Sequence, residues 1–194
     1  MKIIPFALAA ALLAGCVVSA SSGDLTVLKA NEATLEQEVV GVNARGGVEL
    51  IIQHGSEYKF ENTGTSEGWK IGYENDTLVI ECDRRCRKSG NQSATVTLPV
   101  LEDIALTGGG EIVVRGDFPD VSAIDIALTG GGEIDALAVT ADEANVALVG
   151  GGEIRVSAVD ELNASIVGGG EIGYRGSPEL SRSVIGGGSV EQIR

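Results

Sequence analysis

The stretch of sequence that decides the fold is Thr107-Gly-Gly-Gly-Glu-Ile112, and near-copies of it return four times before residue 194. They read TGGGEI at 129–134, VGGGEI at 149–154 and 167–172, and IGGGSV at 185–190. The triplets start at residues 108, 130, 150, 168 and 186, which gives periods of 22, 20, 18 and 18 residues. Such a period is too short for two packed helices, and a glycine triplet would break a helix. The repeat therefore predicts β-structure.

The residues around each triplet belong to the same chemical class in every repeat. One aliphatic residue stands two positions before the triplet and another two positions after it, as Leu106 and Ile112 do in the first repeat. A small residue, Ala or Ser, stands three positions before it. This alternation predicts strands whose aliphatic side chains stack on one another from repeat to repeat. We therefore expect an all-β solenoid, a parallel β-helix whose coils lie about 4.8 Å apart.

Residues 37–100 follow a less regular β pattern. Strand candidates, separated by Gly, Asn, Asp and Ser, lie at 48–52, 58–60, 69–73, 77–80 and 94–98. Residues 46–50 (GGVEL) look like a degenerate copy of the repeat. We expect this region to form irregular N-terminal coils elaborated by hairpins, and to cap the solenoid with most of the aromatic residues.

Composition and charge exclude some classes of function. The 194 residues suit one domain and include 28 glycines but only 4% aromatic residues, so small aliphatic side chains must fill the core. The formal net charge is −14. Because phosphate binding needs a basic face, we expect no nucleic-acid partner.

The N-terminus has the pattern of an export signal. The basic start Met1-Lys2 precedes an apolar stretch at 3–13 that is too short to span a bilayer. Leu13-Ala14-Gly15-Cys16 resembles the lipobox of bacterial lipoproteins, in which the cysteine is lipidated and becomes the new N-terminus. Cleavage after Ala20 is the alternative, and it would release a periplasmic or secreted protein.

These signals divide the chain into three parts. We predict a signal peptide over 1–15, a lipidated Cys16 with a tether over 16–36, and a single domain over 37–194. The lipid would hold the protein on a membrane. We expect an outer-membrane lipoprotein that faces the periplasm or the cell surface.

The three cysteines fit this scheme. If Cys16 is lipidated, Cys82 and Cys86 remain, and we expect them to form a small structural disulfide at a hairpin tip. A metal site would need more Cys or His nearby, and the only histidine is His54. We expect no catalytic residues.

The order of motifs resembles a known family. GVELIIQHGSEYKF, then NDTLVIE, then TVTLPVLEDIALTGGG, then the repeated GGGEI are similar to the head GIN domain of exported bacterial proteins described as autotransporter adhesins. The resemblance covers roughly residues 37–194. It implies a right-handed parallel β-helix and a setting at the cell surface or in the periplasm, and it brings no catalytic residues with it.

The candidate ligand or cation face is the glutamate of each repeat, and the set is Glu111, Glu133, Glu153 and Glu171, with Ser189 in the last copy. Stacked carboxylates repel their neighbours by roughly 1 kcal/mol each in water. A divalent cation such as Ca²⁺ could bridge them, the N–H groups of the glycines could solvate them, or the side chains could splay into water. Paired carboxylates also occur in glycoside hydrolases, which leaves a carbohydrate-active enzyme as an alternative.

Two further features suggest partners. The basic segment Arg84, Arg85, Arg87 and Lys88 is a candidate contact with anionic lipid head groups or lipopolysaccharide. The C-terminal coil has no evident cap, so it is a candidate surface for a homo-oligomer or another partner.

We therefore expect a lipid-anchored, non-enzymatic β-helical module of the bacterial cell envelope that serves adhesion or structure. Its partner would be a surface glycan or a protein, besides the membrane. The alternatives are a carbohydrate-binding or carbohydrate-active protein that uses the glutamate face, and an assembly protein that depends on divalent cations.

Overall fold

The computed structural model describes residues 16–18, 25–27, 31–35, 37–63, 67–88 and 93–194. Within these residues the protein is all-β, as predicted: seventeen strands join in one mixed sheet, beside one α-helix of 5 residues. No helix in this described part of the chain is long and apolar enough to cross a membrane. The predicted signal peptide over 1–15 and the alternative cleavage site at Ala20 lie outside the described residues.

The N-terminal half mixes parallel and antiparallel strands. Strands β7 and β8 form an antiparallel hairpin, and β6 lies antiparallel between β3 and β9. The hairpins expected in this half are therefore present. The elements are β1 (Cys16–Val18), β2 (Thr26–Val27), β3 (Glu32–Leu35), β4 (Gly41–Arg45), β5 (Glu49–His54), β6 (Lys59–Asn62), β7 (Trp69–Glu74), β8 (Thr77–Cys82), α1 (Arg84–Lys88) and β9 (Ser93–Leu98).

Strand β3 lies inside the segment 16–36 for which we expected a tether. Its Ala33 and Leu35 are 0% and 5% exposed and belong to the core. The alternate residues Glu32 and Thr34 face solvent, which makes this short strand look polar in sequence. The sheet therefore begins before residue 37, where we expected the domain to start.

The glycine repeats form the C-terminal half, in which every strand pairing is parallel. Strands before the triplets pair in the order β4–β10–β12–β13–β14–β16, and strands after them in the order β5–β11–β13–β14–β15–β17. The elements are β10 (Asp103–Gly108), β11 (Glu111–Arg115), β12 (Val121–Gly130), β13 (Glu133–Gly150), β14 (Glu153–Gly168), β15 (Glu171–Arg175), β16 (Glu179–Gly186) and β17 (Ser189–Gln192).

In-register pairing stacks equivalent residues of the repeats into columns. The aliphatic columns on either side of the triplets face the core, as the sequence predicts. Burial of each such side chain stabilises the fold by roughly 1.5–3 kcal/mol. In the first four repeats the members, all at most 1% exposed, are Leu106, Leu128, Leu148 and Ile166 before the triplets and Ile112, Ile134, Ile154 and Ile172 after them.

The first glycine of each triplet is required by the backbone. Gly130 has a φ of 133°, a conformation that side chains rarely adopt. A Cβ at this position would also collide with the carbonyl oxygen of Gly108 in the preceding repeat. Glycine thus lets the chain bend at the triplet while neighbouring repeats stay at hydrogen-bonding distance.

Candidate functional site

The structure brings the four predicted glutamates together in one column. Glu111 lies opposite Glu133, Glu153 follows Glu133, and Glu171 follows Glu153. Because the strands are parallel and in register, these carboxylates share one face of the sheet. The sequence repeat thus places like charges on adjacent strands.

The column extends beyond the four predicted members. Strand β5 pairs with β11, which puts Glu49 opposite Glu111. Serines stand at both ends: Ser93 beside Glu49 and Ser189 beside Glu171. Sequence reasoning left Glu49 out of the column, although the similarity of residues 46–50 to the repeat was the signal for it.

Arg155 neutralises the centre of this column. Its Nη1 lies 2.9 Å from Oε1 of Glu133 and 3.5 Å from Oδ2 of Asp135, and its Nη2 lies 2.6 Å from Oε1 of Glu153. Burial acts to lower the pKa of the Arg155 guanidinium, but the charges of Glu153, Glu133 and Asp135 outweigh it and raise that pKa. Sequence reasoning had considered a cation, backbone N–H groups and solvent as offsets to the repulsion. The structure supplies an arginine of the chain itself.

The outer members of the column remain available to a ligand. Glu49, Glu111 and Glu171 are exposed and form no ion pair with any residue that the structure describes. Free carboxylates therefore flank an arginine-bound centre. Such an arrangement offers hydrogen-bond acceptors and a negative potential at both ends of the column.

These glutamates line a groove of about 550 Å³, which we call the glycine–glutamate groove. Glycines contribute the rest of its lining, so bare backbone borders it. The lining residues are Glu49, Glu111, Glu133, Glu153 and Glu171, with Gly47, Gly109, Gly110, Gly131, Gly132, Gly151, Gly152, Gly169 and Gly170.

The geometry gives no reason for the second residue of each triplet to be glycine. From the second triplet onward its backbone N–H donates to the first glycine of the preceding repeat, as Gly151 does to Gly130 at 3.0 Å, but any residue other than proline could make that bond. In contrast to the first glycine, the second does not adopt a φ in the left-handed region, and a Cβ built on it meets nothing within 4 Å. A side chain on the second glycine would instead occupy the space of the groove. Folding therefore does not account for the recurrence of glycine at these positions, which are Gly109, Gly131, Gly151, Gly169 and Gly187.

The described residues contain no cluster of three or more His, Cys, Asp or Glu side chains suited to hold a metal ion. The carboxylates at the centre of the column are already bound to Arg155. The only histidine of the sequence, His54, lies outside the column, with its ring 5.1 Å from the ring of Phe118. The Ca²⁺ that we considered from the sequence thus finds no ready set of ligands among these residues.

A second acidic column, which sequence reasoning missed, lies before the triplets. Glu143, Glu161 and Glu179 pair in register, each seven residues before a triplet. Asn163 donates to Oδ1 of Asn145 at 3.1 Å and to Oε1 of Glu161 at 3.0 Å, and Asn145 donates to Oε1 of Glu143 at 3.2 Å. Amide donors thus satisfy the glutamates of the two central repeats. The constant spacing to the triplets was the signal that could have revealed this column.

Asn163 and Asn145 lie opposite each other in a column that continues into aspartates toward the N-terminal half, and we call it the Asp–Asn column. Asn145 lies opposite Asp125, and Asp125 lies opposite Asp103. Burial, with the charges of Asp125 and Asp76, raises the pKa of the Asp103 carboxyl, and a hydrogen bond from Thr77 opposes this shift. Asp103 is therefore held in an environment that disfavours its charge.

The predicted basic patch is partly neutralised within its own segment. Arg85 donates to Oδ2 of Asp83 at 3.0 Å, and Oδ1 of Asp83 accepts a hydrogen bond of 2.7 Å from the N–H of Arg85. These bonds hold the pKa of Asp83 below its usual range. Cys82, at the end of β8, and Cys86, in α1, form a disulfide, and Arg84 is exposed. The disulfide lies at the open end of the β7–β8 hairpin, where Cys82 pairs with Trp69, and not at the hairpin tip expected from the sequence. Arg87 and Lys88 belong to α1, but their side chains lie outside the description.

A comparison with family models supports the resemblance seen in the sequence. Residues 119–178 match the family described as "Putative auto-transporter adhesin, head GIN domain". The matched segment spans the repeats of β12, β13, β14 and β15. The resemblance inferred from the sequence is thus confirmed over these repeats. No curated protein matches the chain significantly.

One solved structure of a bacterial protein shares the fold, and others resemble this chain less closely. A protein described as a "putative adhesin" from Bacteroides fragilis superposes with a TM-score of 0.52 at 18% identity, over 92% of this chain and 100% of that chain. A second "putative adhesin", from Parabacteroides merdae, gives 0.39 at 16% identity over 92% and 99%. A "putative lipid binding protein" from Parabacteroides distasonis gives 0.36 at 18% identity over 81% and 93%. Only the first score supports an argument, and it concerns the fold alone.

Proposed function

We propose that this chain is an exported adhesion module of the bacterial cell envelope, which binds its partner in the glycine–glutamate groove and catalyses no reaction. The observation that carries the proposal is the recurrence of the second glycine. A Cβ there meets nothing within 4 Å, yet glycine returns in every repeat, and in the first four repeats this glycine lines the groove. The match of residues 119–178 to an adhesin family agrees with a binding role.

The scaffold of this module is a right-handed parallel β-helix. In-register parallel pairing of repeats whose triplets recur every 18 to 22 residues supports it, because each repeat then makes one circuit of the core. The columns of Leu and Ile are the interior ladders that such a circuit needs.

Residues 1–15 are removed, and lipidation of Cys16 then anchors the module to a membrane. The support for this step is the lipobox-like sequence Leu13-Ala14-Gly15-Cys16. By this proposal the protein is an outer-membrane lipoprotein facing the periplasm or the cell surface. Contact of the segment 84–88 with anionic head groups would increase the membrane affinity that the lipid on Cys16 provides. Arg84 is exposed there, whereas Arg85 is bound to Asp83.

The ligand that suits the groove best is a surface glycan. Sugar hydroxyls donate hydrogen bonds to carboxylates, and Glu49, Glu111 and Glu171 are free to accept them. A chain of sugars could lie along the groove, since equivalent acceptors repeat at the inter-strand spacing of about 4.8 Å. A divalent-cation assembly protein is less well supported, because Arg155 already supplies positive charge at the centre.

The test is binding of the purified protein to an array of bacterial surface glycans and to cell-envelope material. The double variant Glu111→Gln/Glu171→Gln should bind roughly 30-fold more weakly. The amide oxygen of Gln still accepts a hydrogen bond, but each bond loses the charge assistance, about 1 kcal/mol per position. Glu102→Gln, an exposed glutamate outside the groove, is the matched control and should bind as the wild type does.

Two outcomes would contradict the proposal. Equal binding by the wild type and the double variant would place the ligand elsewhere. Shortening of the bound glycan would make the protein an enzyme. Adding Ca²⁺ to the same assay tests the cation alternative, which requires binding or assembly to rise with the ion.

A further inference from the structure

Strand β16 presents a surface that the glycine–glutamate groove does not use. It pairs with β14 along one side, and no described strand pairs with its other side. Outward N–H and C=O groups along this edge are therefore open to another strand. Its neighbour β17 pairs only with β15 among the described strands and continues the same edge.

Arg182 occupies a core-facing position on this edge strand. It lies opposite Ala164, in a column that continues through Val146, Ile126 and Ile104. Those four residues are 0–4% exposed, whereas Arg182 is exposed. A cation thus ends a column of buried aliphatic residues. Inward-pointing charge on an edge strand discourages pairing unless a partner supplies the opposite charge.

Apolar and cationic groups meet at this end of the sheet. Arg182 lines a concavity of about 460 Å³ together with Val184, Gly188, Ser189, Val190 and Glu191. Val184 is 39% exposed, although its neighbour in the column, Ile166, is fully buried. On the outer face Val149, Val167 and Ile185 form an exposed stripe, at 47%, 45% and 67%.

The negative charge of the repeats disappears toward this end. Residues 125–144 carry five acidic side chains and no basic one, for a net charge of −5. From the start of β16 onward, residues 179–194 carry Glu179, Arg182, Glu191 and Arg194, for a net charge of 0. Arg182 and Arg194 form no ion pair with the described residues. The open edge of this acidic chain is therefore neutral overall, and it carries Arg182, which has no ion-pair partner among the described residues.

We propose that β16 binds an extended segment of a partner protein that adds to the sheet as the next strand and carries one acidic side chain between apolar ones. The acidic side chain pairs with Arg182, and its apolar neighbours cover Val184 and Val190. This mode of recognition takes affinity from main-chain hydrogen bonds and specificity from alternate side chains. A second copy of this chain fits less well, because its own β16 would bring another Arg182 to the same core-facing side.

The test uses short peptides of alternating Thr and Val with Glu, Gln or Lys at the centre, whose binding is followed by fluorescence anisotropy. The wild type should prefer the Glu peptide over the Gln peptide by roughly ten-fold, the size of one charge-assisted hydrogen bond. Arg182→Glu should reverse the order and prefer the Lys peptide. Arg175→Glu makes the same change of charge on β15 and should keep the wild-type order.

Several results would overturn the proposal. The three peptides could bind equally well, or Arg175→Glu could reverse the order as Arg182→Glu does. The wild type could sediment as a dimer that Arg182→Glu disrupts, which would make a second copy the occupant. Vesicles of anionic lipid could bind at Arg182 while no peptide binds, which would make the site a membrane contact. Because a reversed preference is a gain of binding to the Lys peptide, misfolding of the variant cannot produce it.

Discussion

The glycines of one triplet have different physical roles, and substitution can separate them. Gly131→Ala should leave the free energy of unfolding unchanged or raise it by up to about 1 kcal/mol, because the unfolded chain loses freedom and the new Cβ meets nothing within 4 Å. Gly130→Ala should lower the free energy of unfolding by more than about 2 kcal/mol, because the φ of Gly130 is 133° and the new Cβ would collide with the carbonyl oxygen of Gly108. Denaturant unfolding followed by circular dichroism measures both. Similar losses at the two positions would assign a folding role to the second glycine.

Arg155 allows the fold to hold several carboxylates in one column, because its charge offsets their repulsion. Arg155→Met keeps much of the apolar stem but removes the charge that holds Glu133, Glu153 and Asp135. We expect a loss of about 1–3 kcal/mol in stability at low salt, from lost ion pairs and returned repulsion. Added NaCl should recover part of the loss, since salt screens the carboxylates.

Arg115→Met is the control for this change, because Arg115 is exposed and forms no ion pair with the described residues. Its effect on thermal unfolding should be small at every salt concentration. An equal loss in the two variants, or a loss in Arg155→Met that salt leaves untouched, would contradict the role given to Arg155.

At the scale of strands and columns, the Asp–Asn column makes stability depend on pH. Asp103 has a pKa raised above its ordinary value of 3.8, first by burial and then by Asp125 and Asp76. The folded protein therefore keeps this proton to a higher pH than the unfolded chain does. Stability falls as the pH rises from 3.8 through the folded pKa, and the cost persists above it.

Asp103→Asn should remove that cost. We expect the variant to gain stability at neutral pH and to lose this advantage as the pH falls below the ordinary carboxyl range. Asparagine already occupies the equivalent position at Asn145 and Asn163, where the amides are hydrogen-bonded. Thermal unfolding across the pH range checks the prediction, with Asp117→Asn in an exposed loop as the control. A gain that does not vary with pH would refute the titration of Asp103 as its cause.

How much could be predicted from the sequence differs between elements and sites. The buried columns that contain Leu106 and Ile112 could be predicted from the sequence. Each repeat has aliphatic residues at the same positions, and in-register pairing places equivalent residues of neighbouring repeats on top of one another. The role of Arg155 could not be predicted, because its partners Glu133 and Asp135 belong to another repeat and the register must be known before the contact is visible. Strand β3 escaped prediction for a similar reason: its pairing with β6 is remote in sequence.

At the scale of the whole molecule, the two ends of the sheet are built differently. In the N-terminal half, antiparallel strands and the buried Phe60 and Trp69, whose rings lie 5.7 Å apart, cover the stack of parallel strands. On the other side, β16 leaves its edge open and carries a cation toward the core. The groove runs between these ends along the repeats. The overall acidity was evident from composition, but its loss from β16 onward emerges only when the repeats are aligned by register.

The repeats differ in length at one place only, and this has a consequence for how such molecules can diversify. The variable part runs from a glutamate of the groove to the next member of the Asp–Asn column. It is 14 residues long from Glu111 to Asp125, 12 from Glu133 to Asn145, and 10 from Glu153 to Asn163. From Asp125, Asn145 or Asn163 to the next column glutamate the chain always advances 8. Between β13 and β14, shifts of register between Asp135 and Thr140 and between Ala141 and Glu143 together absorb the extra residues. Insertions can thus accumulate at this corner while the groove keeps its geometry, so a lineage could acquire new loops without giving up the surface that it already had.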